Sequence, residues 1–192
     1  TNLYCSSFVK TNSYKKKFDD KNHIFFLDIG HNRSSAFTYI NSKLETFKSI
    51  PIGSNNITKD ISEVLKLDLD YSEQLKKSFN NKEENIIFGN KKIKNKNLYN
   101  QILKKNISID LLKQVIQERI DEILELVIYQ NIIIKNFKRE KKPKVIFIGN
   151  GSKILSNFYK NSNHESLLEI NLFDDNDLAV CEAGHDYHVS NE

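Results

Sequence analysis

HIFFLDIG at residues 23–30 and KVIFIGNG at residues 144–151 are two apolar runs that each end in a glycine turn. Both runs are rich in Ile, Phe and Val, which is typical of a buried strand that leads into a tight backbone turn. Glycine tolerates positive φ and exposes its N–H to whatever lies above the strand end. Two such turns in one α/β chain predict the two sides of a phosphate or nucleoside site.

The composition favours a soluble protein. The chain has 192 residues, of which 39% are apolar, so it can bury a sizeable core as one domain or two small lobes. No apolar run approaches the roughly 20 residues of a membrane span, and the first residues are not signal-like. Cys5 and Cys181 have no CxxC partner, which fits a reducing cytoplasm. Because the sequence contains no Met, we expect a processed chain or a fragment.

The charge balance is only mildly basic, with 29 Lys and Arg against 25 Asp and Glu. Lysine clusters lie at residues 15–17, 91–96 and 138–144. Few aromatic residues interleave with them, and no zinc or RNA-binding signature accompanies them. We therefore interpret these clusters as solvated loops and expect no nucleic-acid partner.

The order of predicted elements is that of an α/β fold with a mixed sheet flanked by helices. Strands are predicted at residues 2–9, 23–29, 35–40, 43–50, 144–148 and 167–173, with Asn41 and Ser42 as a two-residue hairpin turn. Helices are predicted at residues 56–65, 71–79, 108–137 and 153–159, and residues 10–22 are predicted to be a loop. The polar stretch 80–106, with at most a small hairpin at residues 86–93, is expected to be a lobe boundary or an insertion.

The longest periodic segment, residues 108–137, carries one apolar stripe and an opposite acidic face. We interpret it as a core helix with a solvated face rather than as a source of catalytic carboxylates. Ser108 or Asp110 is expected to cap its start.

Five segments together resemble the FtsA family of actin-like bacterial cell division proteins. In chain order they are LDIGHNRSSAF from residue 27, IPIGSNNITKDI from residue 50, YSEQLKK from residue 71, VIQERIDEILELV from residue 115 and VIFIGNGSKI from residue 145. The IPIGSNNITKDI block is the most family-specific of them. The resemblance implies an actin-like (ribonuclease H-like) mixed sheet with a smaller inserted α/β lobe. Residues 1–66 and 143–192 would form subdomain 2A, residues 67–142 would form subdomain 2B, and the first half of the protein would be absent.

The resemblance also implies ATP and Mg²⁺ in an interdomain cleft. Asp28 and Gly30 match the phosphate-2 loop, in which Asp28 would hold the hydrated metal. Gly53 and Thr58, with Asp60, match the turn and helix start beside the nucleotide.

Two further segments match the nucleoside side of that cleft. Glu73 and Lys76 match a helix of the small lobe that lies against adenine and ribose, and their spacing places them on one helix face. The adenosine-motif turn is matched by Gly149, Asn150, Gly151 and Ser152.

The first glycine turn departs from the family pattern, which continues with more glycine and then threonine. Here Gly30 is followed by HNRSS, in which Arg33 adds a positive charge and Ser34 a hydroxyl. Two alternatives to an ATP-bound adaptor therefore stay open: an active actin-like ATPase of the chaperone or filament type, and a degenerate scaffold that binds no nucleotide. As an enzyme, the full-length protein is expected to be at most a weak ATPase. His31, and the pair His185 and His188, are interpreted as ordinary polar residues.

The partner implied by the resemblance is the C-terminal tail of the tubulin-like division protein FtsZ, received by subdomain 2B. Arg119, Lys138 and Arg139 are the candidate contacts for this acidic and apolar peptide. The family also implies self-association into filaments and a location at the inner face of the membrane at the division site. The C-terminal tail has no amphipathic targeting helix by sequence, so membrane contact is expected only through sequence missing from this chain.

Overall fold

A five-stranded mixed sheet forms the centre of the molecule, with strand order β3-β2-β1-β4-β5. The structure, a computed structural model, describes residues 3, 5–18, 23–80, 106–131, 133, 144–154, 169–173 and 178–189. The strands are β1 His23–Ile29, β2 Ser34–Ile40, β3 Lys43–Ile50, β4 Lys144–Ile148 and β5 Glu169–Leu172. β2 pairs antiparallel with β1 and β3, whereas β4 pairs parallel with β1 and β5. The predicted mixed α/β sheet is thus confirmed.

Five α-helices are described around this sheet. They are α1 Ser6–Tyr14, α2 Ser54–Leu65, α3 Leu69–Asn80, α4 Ile109–Leu124 and α5 Leu178–Val189. α4 continues as one π-helical turn, Glu125–Tyr129, and 3₁₀ turns occur at Lys15–Lys17 and Asn150–Ile154. The N–H of Leu111 donates to the hydroxyl of Ser108 at 3.3 Å, which confirms one of the two predicted caps of the long helix.

The hairpin between β2 and β3 turns at the two predicted residues. Asn41 and Ser42 have φ of 49° and 65°, and two consecutive positive φ values are the mark of the turn whose twist matches that of the flanking strands. The turn therefore fixes the register in which Ile40 pairs with Lys43.

The two faces of the sheet bury separate apolar clusters, because successive strand residues point to opposite sides. Phe25, Leu27 and Ile29 of β1 belong to the cluster that contains the buried faces of α2, α3 and α4. Ile24 and Phe26 belong to the second cluster, with Tyr14 of α1.

The N-terminal segment corrects the sequence prediction. Residues 2–9 were predicted as a strand and 10–22 as a loop, but Ser6–Tyr14 is a helix. Aromatic and β-branched residues favour strands locally, whereas here Phe8 and Tyr14 pack on the sheet, and Phe8 also meets Tyr187 of α5. Tertiary packing therefore outweighs local propensity, and α5 itself was not predicted.

Several predictions concern residues outside the described part of the chain. These are the small hairpin at 86–93, the long helix beyond residue 133, most of the helix at 153–159, and Lys138 and Arg139. Within the described residues the long helix, predicted to continue to residue 137, ends at Tyr129, because Gln130 caps it and Asn131 is not helical. Among the described residues, no helix is both long enough and apolar enough to cross a lipid bilayer.

Candidate functional site

The two glycine turns lie against each other at one end of the sheet. β1 and β4 run parallel with Asp28 opposite Ile148, so the carboxyl ends of both strands lie at the same edge of the sheet. Gly149 has φ of +86°, and a Cβ on it would overlap Oδ1 of Asp28. A Cβ on Gly151 would lie 2.6 Å from the carbonyl oxygen of Ile29. The glycines of the second turn are therefore needed for its close approach to the first.

The start of α2 also contacts the first turn. A Cβ on Gly53 would lie 2.6 Å and 2.7 Å from the carbonyl oxygens of His31 and Gly30. The N–H of Ser54 donates to the Gly30 carbonyl at 2.9 Å, and the N–H of Asn55 donates to the His31 carbonyl at 2.8 Å. These bonds satisfy two of the N–H groups that a helix start leaves open. The turn after β1 is thus held rigidly on α2.

Both glycine turns are closed by their own backbone bonds. The N–H of Gly30 donates to the Arg33 carbonyl at 2.9 Å. The N–H and the hydroxyl of Ser152 donate to the Gly149 carbonyl at 3.1 and 2.6 Å, while Asn150 is exposed between them. The predicted site residues Gly30 and Ser152 therefore use these donors within the chain.

The exposed part of the first turn is its tip. His31, Asn32 and Arg33 are exposed, and their N–H groups have no acceptor among the residues that the structure describes. Ser34, which follows, is buried and donates its hydroxyl to the Ile52 carbonyl at 2.7 Å. Available donors therefore lie at the tip of the turn rather than at its base.

Thr58, Glu73 and Lys76 form one polar network between α2 and α3. Lys76 Nζ donates to Glu73 Oε2 at 2.5 Å, to Thr58 Oγ1 at 2.6 Å and to the Ser54 carbonyl at 3.0 Å. The prediction that Glu73 and Lys76 share one helix face is confirmed by this ion pair. Thr58 was predicted beside the nucleotide, and its bond to an α3 carboxylate 15 residues away was not foreseen.

The network sets the charge states of its two ionisable groups. Burial lowers the pKa of Lys76, although the bond to Glu73 acts in the opposite direction. Burial would raise the pKa of Glu73, but the hydrogen bonds from Lys76 and Thr58 outweigh it, so the pKa is lowered. Glu73 is therefore a carboxylate at neutral pH.

Arg119 of α4 joins that helix to α2. Its Nε and Nη2 donate to the two carboxylate oxygens of Asp60 at 2.6 and 2.8 Å, and its Nη1 donates to Glu122. The pKa of Arg119 is raised, mainly by the bond to Asp60. Asp60 was predicted at the helix start beside the nucleotide, and the structure places its carboxylate at this bridge instead. A groove of about 490 Å³ lies beside the pair, and among its lining residues are Val64, Leu111, Val115 and Glu118.

The C-terminal histidines lie on α5. His185 Nδ1 is 4.0 Å from the Asp186 carboxylate, and both side chains are exposed. Among the described residues no group of three or more potential metal ligands comes together.

Comparison of the sequence with protein families gives one match that includes both glycine turns and the long helix. The family described as "Cell division protein FtsA" matches residues 25–168, which is 144 of the 192 residues. The chain belongs to the FtsA family. A search of curated proteins found no significant match to this FtsA-family chain.

Solved structures show that the FtsA-family chain has the actin-like fold. MreB 5 of Spiroplasma citri bound to AMPPNP is 15% identical with a TM-score of 0.61, over 95% of this chain and 58% of that one. The PilM-PilN type IV pilus biogenesis complex is 16% identical with a TM-score of 0.53, over 95% of this chain and 44% of that one. The Alp12 filament structure is 16% identical with a TM-score of 0.54, over 95% of this chain and 52% of that one. The FtsA-family chain thus spans about half the length of these structures.

Proposed function

We propose that this chain works as an adaptor of the FtsA type, which binds ATP and recruits FtsZ to the membrane at the division site. The observation that carries the proposal is the family match over residues 25–168, within which two glycine turns pack against each other at one sheet edge. Ligands of open α/β sheets bind at the edge where parallel strands end, and here that edge carries Asp28. Residues 1–66 and 143–192 are assigned to subdomain 2A and residues 67–142 to subdomain 2B.

The chemistry of this edge suits a magnesium nucleotide. Mg²⁺ is typically bound by one or two carboxylates together with phosphate oxygens and water, and Asp28, which is 8% exposed, offers such a carboxylate. The N–H groups at residues 31–33 and the guanidinium of Arg33 suit phosphate oxygens. Bound ATP would supply the phosphates that this edge recognises. The AMPPNP in the MreB 5 structure supports a nucleotide at this fold.

The other assigned residues divide into shaping and contacting roles. Gly30, Gly53, Ser34 and Ser152 shape the loops, because their donors or close packing serve the chain itself. The nucleoside side is assigned to Thr58, Glu73, Lys76, Gly149, Asn150 and Gly151. Of these, Asn150 and the partly exposed Glu73 are assigned the contacts. Lys76 and Thr58 donate within the chain and support Glu73, and the two glycines shape the turn. α3 lies against the 3₁₀ turn Asn150–Ile154, which supports placing Glu73 and that turn beside one ligand.

The proposed partner site is a groove with apolar residues, Arg119 and three carboxylates, Asp60, Glu118 and Glu122, in its lining. Val64 and Leu111, both substantially exposed, lie beside Arg119 in the groove between α2 and α4. An apolar groove next to a charged side chain suits a short peptide with both apolar and acidic residues, such as the FtsZ tail. An incoming carboxylate would compete with Asp60 and Glu122 for Arg119. We therefore assign to Lys138 and Arg139 the larger share of the electrostatic attraction.

The test of recruitment is fluorescence anisotropy of a labelled FtsZ C-terminal peptide titrated with the protein. Reversing the charges of Lys138 and Arg139 together is expected to weaken binding about tenfold, because opposed charges at an interface become like charges. The control variant reverses the charges of Lys16, in the turn Lys15–Lys17, and of Lys43, at the start of β3. Both side chains are exposed, and the net charge changes equally. Unchanged affinity in the first variant, or an equal loss in the control, would contradict the assignment.

Filament formation and membrane location are part of the same proposal. The Alp12 filament structure shares the fold, which supports self-association of this chain through an actin-like interface. Co-sedimentation with and without ATP tests it, and an unchanged monomer in both conditions would contradict it. Hydrolysis of ATP is expected to be slow.

The nucleotide-free scaffold is a second candidate that one observation favours. The N–H groups of Gly30, Ser54 and Ser152 donate within the chain, which leaves fewer donors for phosphate at the base of the turns. Equilibrium binding of ATP separates the two candidates.

A further inference from the structure

Three consecutive lysines follow α1 as the 3₁₀ turn Lys15–Lys17. Nζ of Lys15 donates to the Ser42 carbonyl at 2.7 Å and lies 4.9 Å from the centre of the Tyr39 ring. Ser42 belongs to the hairpin turn between β2 and β3, and the residue after it is the exposed Lys43. The 3₁₀ turn is therefore held against the hairpin, which brings Lys43 next to its three lysines.

The other side of the turn rests on aromatic rings. Nζ of Lys17 lies 5.4 Å from the ring centre of Tyr14 and 5.3 Å from that of Phe173. The Phe173 ring lies 6.0 Å from the Phe18 ring, and Nζ of Lys144 lies 5.8 Å from the centre of the Phe18 ring. Cations are attracted to the faces of aromatic rings. These contacts join five lysines into one surface, which we call the lysine patch: Lys15, Lys16, Lys17, Lys43 and Lys144.

No carboxylate among the described residues pairs with the lysine patch. None of its five ammonium groups belongs to an ion pair in that part of the chain. Burial and the neighbouring charge of Lys16 lower the pKa of Lys15, so the charges are close enough to repel each other. Like charges brought together disfavour the compact state. An external anionic partner therefore explains this arrangement better than the stability of the fold does.

The lysine patch contains no arginine. An arginine guanidinium recognises one carboxylate or phosphate in a fixed geometry, whereas a lysine ammonium acts as a hydrated point charge. A group of lysines therefore attracts an anionic partner through the number of its charges rather than through oriented hydrogen bonds. Clusters of about four to eight basic residues are typical of surfaces that bind anionic phospholipids. Lys16, Lys17 and Lys43 are exposed, which suits contact with a broad anionic surface.

The lysine patch and the proposed peptide groove lie on opposite faces of the sheet. The aromatic rings that hold the patch, those of Tyr14, Phe18, Tyr39 and Phe173, belong to the second apolar cluster. The groove lies between α2 and α4, whose buried faces belong to the first cluster. A bilayer bound at the patch would therefore leave the groove free for a peptide.

We infer that the lysine patch binds the anionic headgroups of a phospholipid bilayer. The inference rests on the membrane location in the proposed function and names the surface of this chain that faces the lipid. It places a membrane contact within this chain, where the sequence predicted a solvated loop.

The test is co-sedimentation of the intact native protein with vesicles of phosphatidylcholine, either alone or with about one third phosphatidylglycerol. We expect binding to the anionic vesicles only. Each lysine near an anionic bilayer contributes about fivefold in affinity, so Lys16→Glu combined with Lys43→Glu should weaken binding by at least about thirtyfold. Salt at about 1 M should release the wild type, because the Debye length falls to about 3 Å.

The matched control is Lys59→Glu combined with Lys113→Glu. These lysines are exposed on α2 and α4, and the net charge changes equally. The control should bind the anionic vesicles as wild type does. No binding by wild type, equal binding to both kinds of vesicle, wild-type affinity in the Lys16 and Lys43 variant, or an equal loss in the control would overturn the inference.

Two further measurements separate the lipid from other partners. Polyglutamate that binds more tightly than the anionic vesicles, and is lost in the Lys16 and Lys43 variant, would assign the patch to an acidic protein segment and overturn the lipid assignment. The same variant should still bind the FtsZ peptide, which also shows that it is folded. A protein that binds the anionic vesicles but not the peptide contradicts recruitment of FtsZ and leaves the lipid inference standing.

Discussion

Replacing Gly149 by alanine should destabilise the protein strongly, because this residue lies where the two glycine turns meet. Its φ is +86°, a region that L residues rarely adopt. The added Cβ would overlap Oδ1 of Asp28 and would lie 2.8 Å from the carbonyl oxygen of Ile29. One of these neighbours is main chain of β1 and cannot move aside without disturbing the sheet.

The expected magnitude follows from two contributions. The left-handed backbone costs a non-glycine residue about 1–2 kcal/mol. Forcing a methyl group into a closely packed site costs about 1–3 kcal/mol more. The free energy of unfolding should therefore fall by about 2–5 kcal/mol, which for a chain of this size lowers the melting temperature by roughly 5–15 °C.

Gly184→Ala is the matched control for this prediction. Gly184 lies within α5 and has no atom within 4 Å of the position of an added Cβ. Alanine there should stabilise the helix by up to about 1 kcal/mol. Both variants are compared with wild type by urea unfolding followed by circular dichroism. Wild-type stability of Gly149→Ala, or an equal loss in both variants, would refute the reasoning.

Three further predictions concern ionisable groups. Burial raises the pKa of Tyr39 to about 12, so the stability that depends on its neutral form is present below pH 10 and is lost between about pH 10 and 12. Tyr39→Phe should flatten this alkaline loss of stability in unfolding titrations, and an unchanged slope of stability against pH would contradict the prediction. The Asp60 and Arg119 pair should show a coupling energy of about 1 kcal/mol in a double-mutant cycle of urea unfolding, and additive single effects would count against the bridge. Because the pKa of Glu73 is lowered in the folded protein, its contribution to stability is present when the pH is above the ordinary glutamate pKa, and it is lost as the pH falls through the folded-state pKa. Glu73→Gln should reduce this loss of stability in acid, and a profile of stability against pH identical to that of wild type would argue against the network.

The strands were predictable because their signals are local. Residues 23–29 and 144–148 are short apolar runs that end at glycine, and the structure has strands with these bounds. The hairpin at Asn41 and Ser42 was likewise predicted from turn chemistry. The start of α2 was predicted two residues late, since its first turn is fixed by a bond from the Gly53 N–H to the Asn56 side chain.

The candidate site was predictable in its glycines and in its local side-chain pair, but not in the side-chain pairs that join different helices. Glu73 and Lys76 are three residues apart on a helix, so their pairing follows from helix geometry. Asp60 and Arg119 are 59 residues apart, and no local pattern indicates that they meet. The family resemblance predicted that Lys76 contacts the nucleotide. Its burial and its three acceptors instead depend on how α2 packs against α3, which the sequence does not indicate.

The most direct test of the central claim is an equilibrium titration of the intact native protein with Mg-ATP by isothermal calorimetry, in wild type and in Asp28→Ala. The account predicts saturable binding by wild type and a loss of at least about tenfold in the variant, because the carboxylate assigned to the hydrated metal is gone. Lys113→Ala, an exposed lysine on α4, serves as the control and should bind as wild type does. No binding by folded wild-type protein would contradict the account and favour the nucleotide-free scaffold.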